Sequence, residues 1–85
     1  MEHVIVERVF AEPQSIEKVE AQLRAGQPCL ATYRVKHLRT SMSLDGRRMI
    51  CEYEAPDAQS VRMASEVVGL PYERVWTAHV IVSGR

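Results

Sequence analysis

The stretch MSLDGRRMICEYEAPDAQSVR, residues 42–62, decides how this chain folds. Its first half alternates apolar and polar residues around Asp45-Gly46, the strongest short hairpin signal in the sequence. Its second half offers Asp57 as a helix N-cap and continues with apolar residues at helical spacing. The stretch therefore predicts two strands, over residues 35–43 and 47–54, followed by a helix that ends at the C-capping glycine of the sequence VVGLP.

Two more strands and another helix flank this stretch. β-Branched residues predict a first strand over residues 3–10 and a last strand over residues 74–82. Apolar residues from Ile16 to Leu23 recur at helical spacing, and Gly26-Gln27-Pro28 is expected to interrupt that helix. The segment PCLATYR, residues 28–34, is a candidate for one or two further helical turns. The order βαββαβ predicts one α+β domain over residues 1–85, with a ferredoxin-like four-stranded antiparallel sheet and two helices on one face.

Composition argues against several kinds of partner. The 85 residues carry a formal net charge of zero, which gives no support to nucleic-acid binding. No apolar run approaches the roughly 20 residues of a membrane span, and the N-terminus lacks the features of a secretory signal. The two cysteines, Cys29 and Cys51, lack CxxC spacing and are interpreted as reduced, mostly buried thiols. We therefore expect a cytoplasmic protein with no nucleic-acid partner and no membrane partner.

One face of the predicted sheet has no helix to cover it, and we call it the open face. A two-residue turn at Asp45-Gly46 pairs Arg39 with Glu52 and His37 with Glu54 on this face. The same register puts the pairs Leu38–Tyr53, Thr40–Cys51 and Met42–Met49 on the helix side. Alternation in the outer strands adds further residues, so that the open face is expected to carry His3, Ile5, Glu7, Val9, His37, Arg39, Ile50, Glu52, Glu54, His79 and Ile81. In the last strand the same alternation turns Trp76 towards the helices, where we expect it to be a core residue.

A mixed apolar and polar open face on so small a domain favours a homodimer. Domains of this size bury a modest fraction of their surface, and pairing adds to it. Two copies joined through their open faces would form an α+β barrel that encloses a polar site. A small-molecule ligand is a second possible occupant of that space.

Histidines and carboxylates on the open face make it a candidate metal site. Imidazole and carboxylate ligands suit nickel, zinc, copper and iron, and the candidate ligands are His3, His37, His79 and Glu7. No HxH or HExxH spacing occurs, so local sequence carries no metal signature. Each histidine alone is also explained as an ordinary surface or hydrogen-bonded residue.

Two other functions fit the same residues. In an enzyme, Glu52 or Glu7 would act as acid or base with a pKa raised by enclosure in a dimer cavity, and Arg39 would orient an anionic substrate. No phosphate loop or nucleophile elbow identifies such a substrate. In a structural or regulatory dimer, the charges would form an interface network, where a cross-strand pair such as Arg39–Glu52 contributes roughly 0.2–1 kcal/mol.

Several segments resemble a family of small bacterial ferredoxin-like proteins, long classed as a domain of unknown function, whose best-known type binds nickel. The matching segments are Val6-Glu7-Arg8, Leu38-Arg39-Thr40-Ser41-Met42-Ser43, Asp45-Gly46, Cys51-Glu52-Tyr53-Glu54-Ala55-Pro56-Asp57 and Gly69-Leu70-Pro71. The resemblance implies a ferredoxin-like subunit that dimerises through its sheets and binds nickel through histidine and acidic residues. Glu7, Arg39, Cys51 and Glu52 occupy motif positions. The chain departs at His37 and Ser41, where the family commonly has Trp and Tyr.

Overall fold

The computed structural model describes residues 1–84 and has two helices on one face of a four-stranded sheet. Its elements are β1 (Glu2–Val9), α1 (Ile16–Thr32), β2 (Lys36–Met42), β3 (Arg48–Ala55), α2 (Ala58–Val68) and β4 (Arg74–Ala78). The strands lie in the order β2-β3-β1-β4, and each is antiparallel to its neighbours. The predicted βαββαβ order and ferredoxin-like fold are confirmed. Neither helix is long and apolar enough to cross a membrane.

The hairpin between β2 and β3 sets the register of the sheet. Gly46 adopts φ +73°, and its amide donates to the Ser43 carbonyl at 3.0 Å. A side chain at Gly46 would place a Cβ atom 2.6 Å from the Gln14 backbone oxygen, so glycine is required both for its φ and for the close approach. From this turn the predicted pairing is confirmed as far as Arg39 opposite Glu52.

Helix α1 continues through the predicted interruption, so that prediction is wrong. Ser15 caps the helix by accepting from the Lys18 amide at 3.2 Å, and Pro28 lies inside the last turns. Leu30, beyond the proline, is buried in the core, and this packing outweighs the hydrogen bond that Pro28 cannot donate. At Gly26 an added Cβ would lie 3.2 Å from Val68, which shows how closely α1 and α2 approach.

Helix α2 begins and ends as predicted. The Asp57 side chain accepts from the Ser60 amide at 2.8 Å, and Gly69 ends the helix with φ +85° in the left-handed region. The helix buries Val61 and Ala64 against the helix-facing side of the sheet, which we call the covered face. The core between sheet and helices contains Val4, Val6, Val19, Leu30, Val35, Met49, Cys51, Tyr53, Ala55, Val61 and Ala64.

The last strand is shorter than predicted and has the opposite phase. β4 ends at Ala78, and its register sets Val75 opposite the buried Val6 and Trp76 opposite Ile5. Val75 therefore packs towards the core, whereas Trp76 lies on the open face with 45% of its surface exposed. The prediction that Trp76 is a core residue is wrong, because adjacent apolar residues in this strand left its phase ambiguous in sequence.

Candidate functional site

A β-bulge removes His37 from the open face. Pairing shifts between His37 and Arg39, so that Leu38 is an extra residue and His37 lies opposite Tyr53 instead of Glu54. The His37 ring consequently stands on the covered face, 5.4 Å from the Tyr53 ring centroid, and its Nε2 is hydrogen-bonded to Thr40 Oγ1 at 2.7 Å. The predicted pairs Leu38–Tyr53 and His37–Glu54 are therefore wrong, since a bulge exchanges the two faces of a strand.

The open face is organised around the Glu52 carboxylate in the centre of the sheet. Its Oε1 lies 2.9 Å from His3 Nε2, and its Oε2 accepts a hydrogen bond from Arg39 Nε at 2.5 Å. β1 supplies His3, β2 supplies Arg39 and β3 supplies Glu52, so three strands converge on one carboxylate. The expected placement of these three residues on the open face is confirmed.

Hydrogen bonds keep Glu52 ionised. The bond from Arg39, followed by the bond from His3, holds the pKa of the Glu52 carboxyl below its usual value. In the single chain the pKa of Glu52 is lowered because donors surround the charged form, and the raised pKa expected in an enclosed dimer cavity stays a prediction. A carboxylate with a lowered pKa is suited to binding a cation and poorly suited to donating a proton near neutral pH.

Glu7 lies on the same face but has a different partner. Its Oε2 accepts a hydrogen bond from the Trp76 indole Nε1 at 2.8 Å, which joins β1 to β4. Apolar side chains surround these polar groups: Val9, Ile50 and Trp76 are 41%, 44% and 45% exposed. The open face therefore presents fixed carboxylates among apolar side chains that no other part of residues 1–84 covers.

The three histidines do not come together. His3 contacts Glu52, His37 is on the covered face, and His79 follows β4 as an exposed residue that makes no hydrogen bond or ion pair with residues 1–84. Within residues 1–84 no group of three or more histidine, cysteine, aspartate or glutamate side chains is placed to hold a metal ion. One chain thus offers two adjacent candidate ligands, the His3 imidazole and the Glu52 carboxylate. Imidazole and carboxylate donors fit a nickel ion, but two donors do not complete its coordination.

The covered face holds a buried arginine that the sequence interpretation overlooked. Arg8 is 1% exposed and its guanidinium donates to five neutral acceptors. These are Cys51 Sγ at 3.5 Å, Leu70 O at 3.4 Å, Pro71 O at 3.0 Å, Tyr53 Oη at 3.1 Å and Ser65 Oγ at 3.2 Å. Strand alternation would have found it, because Arg8 has the same phase as the buried residues Val4 and Val6.

Burial and charge around Arg8 shift the neighbouring groups. Burial alone would lower the pKa of Arg8, but the Tyr53 and Cys51 side chains offset this effect and the pKa is raised. Burial, with a further contribution from Cys51, raises the pKa of Tyr53 to about 12, so the phenol stays protonated. Arg8 forms no ion pair within the described chain, and its charge has no carboxylate counter-ion.

With this geometry established, comparison with known proteins shows the family. The family model of the nickel responsive protein SCO4226-like proteins matches residues 5–77. The chain belongs to this family. A search of the curated proteins gives no match.

Among solved structures, the SCO4226-like fold is found again in SCO4226 from Streptomyces coelicolor A3(2). The two folds superpose with a TM-score of 0.85 at 12% sequence identity, over 94% of this chain and 99% of that chain. At this identity the likeness establishes the fold. The predicted resemblance to a nickel-associated ferredoxin-like family is confirmed, and family membership supports a nickel-related role.

Proposed function

We propose that this SCO4226-like protein is a cytoplasmic homodimer that binds nickel or a similar divalent cation at the open face of its sheet. The observation that carries the proposal is the contact between His3 Nε2 and Glu52 Oε1, 2.9 Å apart on that face. Imidazole nitrogen and carboxylate oxygen are donors that suit nickel. Arg39 favours the ionised form of Glu52, which is the form that a cation requires.

A second copy would supply the missing ligands. The His3–Glu52 pair lies near the centre of the open face, so two copies that meet through these faces would bring two such pairs towards each other. Four protein donors would then be available where one chain has two. In this arrangement Arg39 would orient the Glu52 carboxylate without touching the cation. The positive charge of the cation would attract the Glu52 carboxylates of both copies and so hold the copies together.

Exposed apolar residues support the same dimer. Val9, Ile50 and Trp76 each have more than two fifths of their surface exposed on the open face, at 41%, 44% and 45%. Covering these side chains would remove apolar area from water, at roughly 25 cal/mol per Å². A small domain gains proportionally more from such pairing than a large one.

Isothermal titration of tag-free protein with nickel tests the proposal. We expect one nickel ion per two chains, with sedimentation equilibrium showing a dimer. His3→Asn should weaken binding by at least about tenfold, as loss of a metal-ligand contact does. His79→Asn should leave it unchanged, because that exposed histidine lies apart from Glu52. Absence of nickel binding, or equal effects of the two variants, would refute the proposal.

One control separates the site from chelation at the chain terminus. The α-amino group of Met1 and the His3 imidazole lie close enough in sequence to hold nickel together without Glu52. Protein with one additional N-terminal residue should bind as before, whereas Glu52→Gln should lose binding. The opposite result would assign the nickel to the terminus.

The enzyme alternative has one observation in its favour. Glu7 lines a depression of about 320 Å³ together with Ser41, Arg48 and Ile50 of the open face. In a dimer this depression would become an enclosed space for an organic substrate, with Glu7 as the acid or base. A dimer structure with the depression filled by partner side chains would exclude this alternative. An open cavity beside Glu7 would support it.

A further inference from the structure

A cleft on the side of the molecule away from Glu52 lies between helix α1 and the edge strand β2. Its volume is about 490 Å³, within the range of roughly 300–1,000 Å³ typical of small-molecule sites. Apolar side chains of both elements form its walls, and His37 and Thr40 also line it. The residues that line it are Ile16, Val19, Glu20, Leu23, Arg24, Gln27, His37, Thr40 and Met42.

The β-bulge in β2 places the His37 imidazole in this cleft. Without the extra residue Leu38, His37 would stand on the open face opposite Glu54. The bulge turns the ring to the covered face, where it is hydrogen-bonded to Thr40 and tilted against Tyr53. Bulges that re-aim a side chain are common beside binding and active sites, whereas core packing alone gives no reason to bury an imidazole here.

The electrostatic environment of the cleft favours an anion. Thr40 Oγ1 donates to Cys51 Sγ at 3.4 Å, and the same sulfur accepts from Arg8 Nε at 3.5 Å. The buried Arg8 charge, which has no counter-ion, therefore lies directly behind the Thr40 wall. Burial lowers the pKa of His37, and the charge of Arg8 adds to this lowering.

The α1 side of the cleft supplies donors for such an anion. Arg24 and Gln27 both line it, and neither side chain makes a hydrogen bond or ion pair within residues 1–84. Glu20 is the only acidic residue of the lining, and it forms no ion pair with Arg24. The lining thus holds one cation, Arg24, and one carboxylate, Glu20, and the buried Arg8 adds a positive charge behind the Thr40 wall. A guanidinium such as that of Arg24 can bind a carboxylate ligand through two parallel hydrogen bonds.

We propose that this cleft binds a small carboxylic acid with an apolar body. The carboxylate would lie against Arg24 and Gln27, and the apolar body would pack on Val19, Leu23 and Met42 with its inner end against the His37 ring. The site does not depend on the nickel site, because the sheet separates the His37 side of β2 from Glu52.

NMR titration of the ¹⁵N-labelled full chain tests this proposal. The probes are 1-naphthoate and octanoate, with 1-naphthamide as the neutral match for the first. We expect saturable shifts of the backbone amides in residues 16–27 and 36–42, and binding of the amide about tenfold weaker than that of the acid. Shifts that do not saturate, that cluster on the open face, or that are equal for acid and amide would overturn it.

A pair of arginine variants assigns the carboxylate contact. Arg24→Gln should weaken naphthoate binding about tenfold and leave naphthamide binding unchanged, because it removes only the charge-assisted hydrogen bonds. Arg74→Gln, at an exposed arginine of β4 that has no partner in the described part of the chain, is the matched control and should change neither. Equal effects of Arg24→Gln and Arg74→Gln would show that naphthoate binding depends only on the net charge of the protein, and this result would refute the site. Nickel or a chelator should not alter the result.

Discussion

The two faces of the sheet each carry an arginine, Arg8 or Arg39, and the two differ in burial and in hydrogen-bond partners. On the covered face Arg8 is 1% exposed and donates to five neutral acceptors. On the open face the Arg39 side chain is 74% exposed and donates to one carboxylate. Burial makes every donor of Arg8 costly to leave unpaired, whereas water can replace the partner of Arg39. The covered face is therefore built for stability, and the open face has charges available for binding.

The largest effect is expected when Arg8 is replaced by lysine. Lysine keeps the charge but has three donors on one nitrogen, so it cannot reach the acceptors that five guanidinium donors satisfy. Arg8→Lys should lower the free energy of unfolding by about 2–4 kcal/mol, since buried groups lose their partners. Urea denaturation measures it. Arg39→Lys is the control and should cost less than about 0.5 kcal/mol. Similar losses in both variants would remove the distinction between the faces.

Removing one acceptor from the covered face should cost less. Tyr53→Phe leaves an Nη2 proton of Arg8 without its partner, and we expect a loss of about 1–2 kcal/mol in the free energy of unfolding. Tyr33→Phe is the matched control, because the Tyr33 hydroxyl makes no hydrogen bond within the described chain and the residue is also partly buried. Urea midpoints compare the two, and a control that loses as much as Tyr53→Phe would show that Arg8 does not depend on this acceptor.

Titratable groups on the two faces should also affect the free energy of unfolding in different ranges of pH. Burial lowers the pKa of His37 below its usual value, so the unfolded chain binds this proton first as pH falls. The stabilisation contributed by the neutral His37 ring is complete above a pH of about 6.5, and it is lost as the pH falls through the lower pKa of the folded state. In His37→Gln this part of the pH dependence, about 1 kcal/mol or less, should be absent. Thermal melts between pH 7 and pH 5 measure it, and a slope unchanged from wild type would contradict the burial of a neutral ring.

The smallest effect is expected at Glu52 and at lower pH. Its pKa is lowered by Arg39 and then by His3, so its contribution is present above the unfolded pKa of about 4.3 and is lost as pH falls through the folded value. Glu52→Gln should remove this acid-range loss while changing stability at pH 7 by less than about 1 kcal/mol. Melting curves from pH 6 to pH 3 would show it. A large loss of stability in Glu52→Gln at pH 7 would mean that the open face, too, contributes strongly to the stability of the fold.

Local turn chemistry made the centre of the site predictable. Asp45-Gly46 fixed the register from the turn outward, and the cross-strand pair Arg39–Glu52 followed without tertiary information. The helix-capping residues Asp57 and Gly69 were also predictable, because their hydrogen bonds and backbone angles depend on local sequence. His3 could be placed on the same face as Glu52 because the alternation of β1 is regular.

Features that depend on packing were not predictable. The bulge at Leu38 turns His37 towards Tyr53 and Thr40 on the covered face, and no local residue signals it. Helix α1 passes Pro28 because residues beyond it are buried, so tertiary contacts outweigh a local breaker. The network of Arg8 joins two strands, α2 and the segment that follows it, which single-strand patterns do not reveal.

Anomalous diffraction at the nickel absorption edge, from crystals of tag-free protein grown with nickel, tests the central claim most directly. We expect a nickel peak at the open face, within coordination distance of His3 Nε2 and a Glu52 carboxylate oxygen, with the same two residues of a second copy completing the site. A nickel peak at His79 or His37, or an open face that remains exposed and free of metal at saturating nickel, would contradict it.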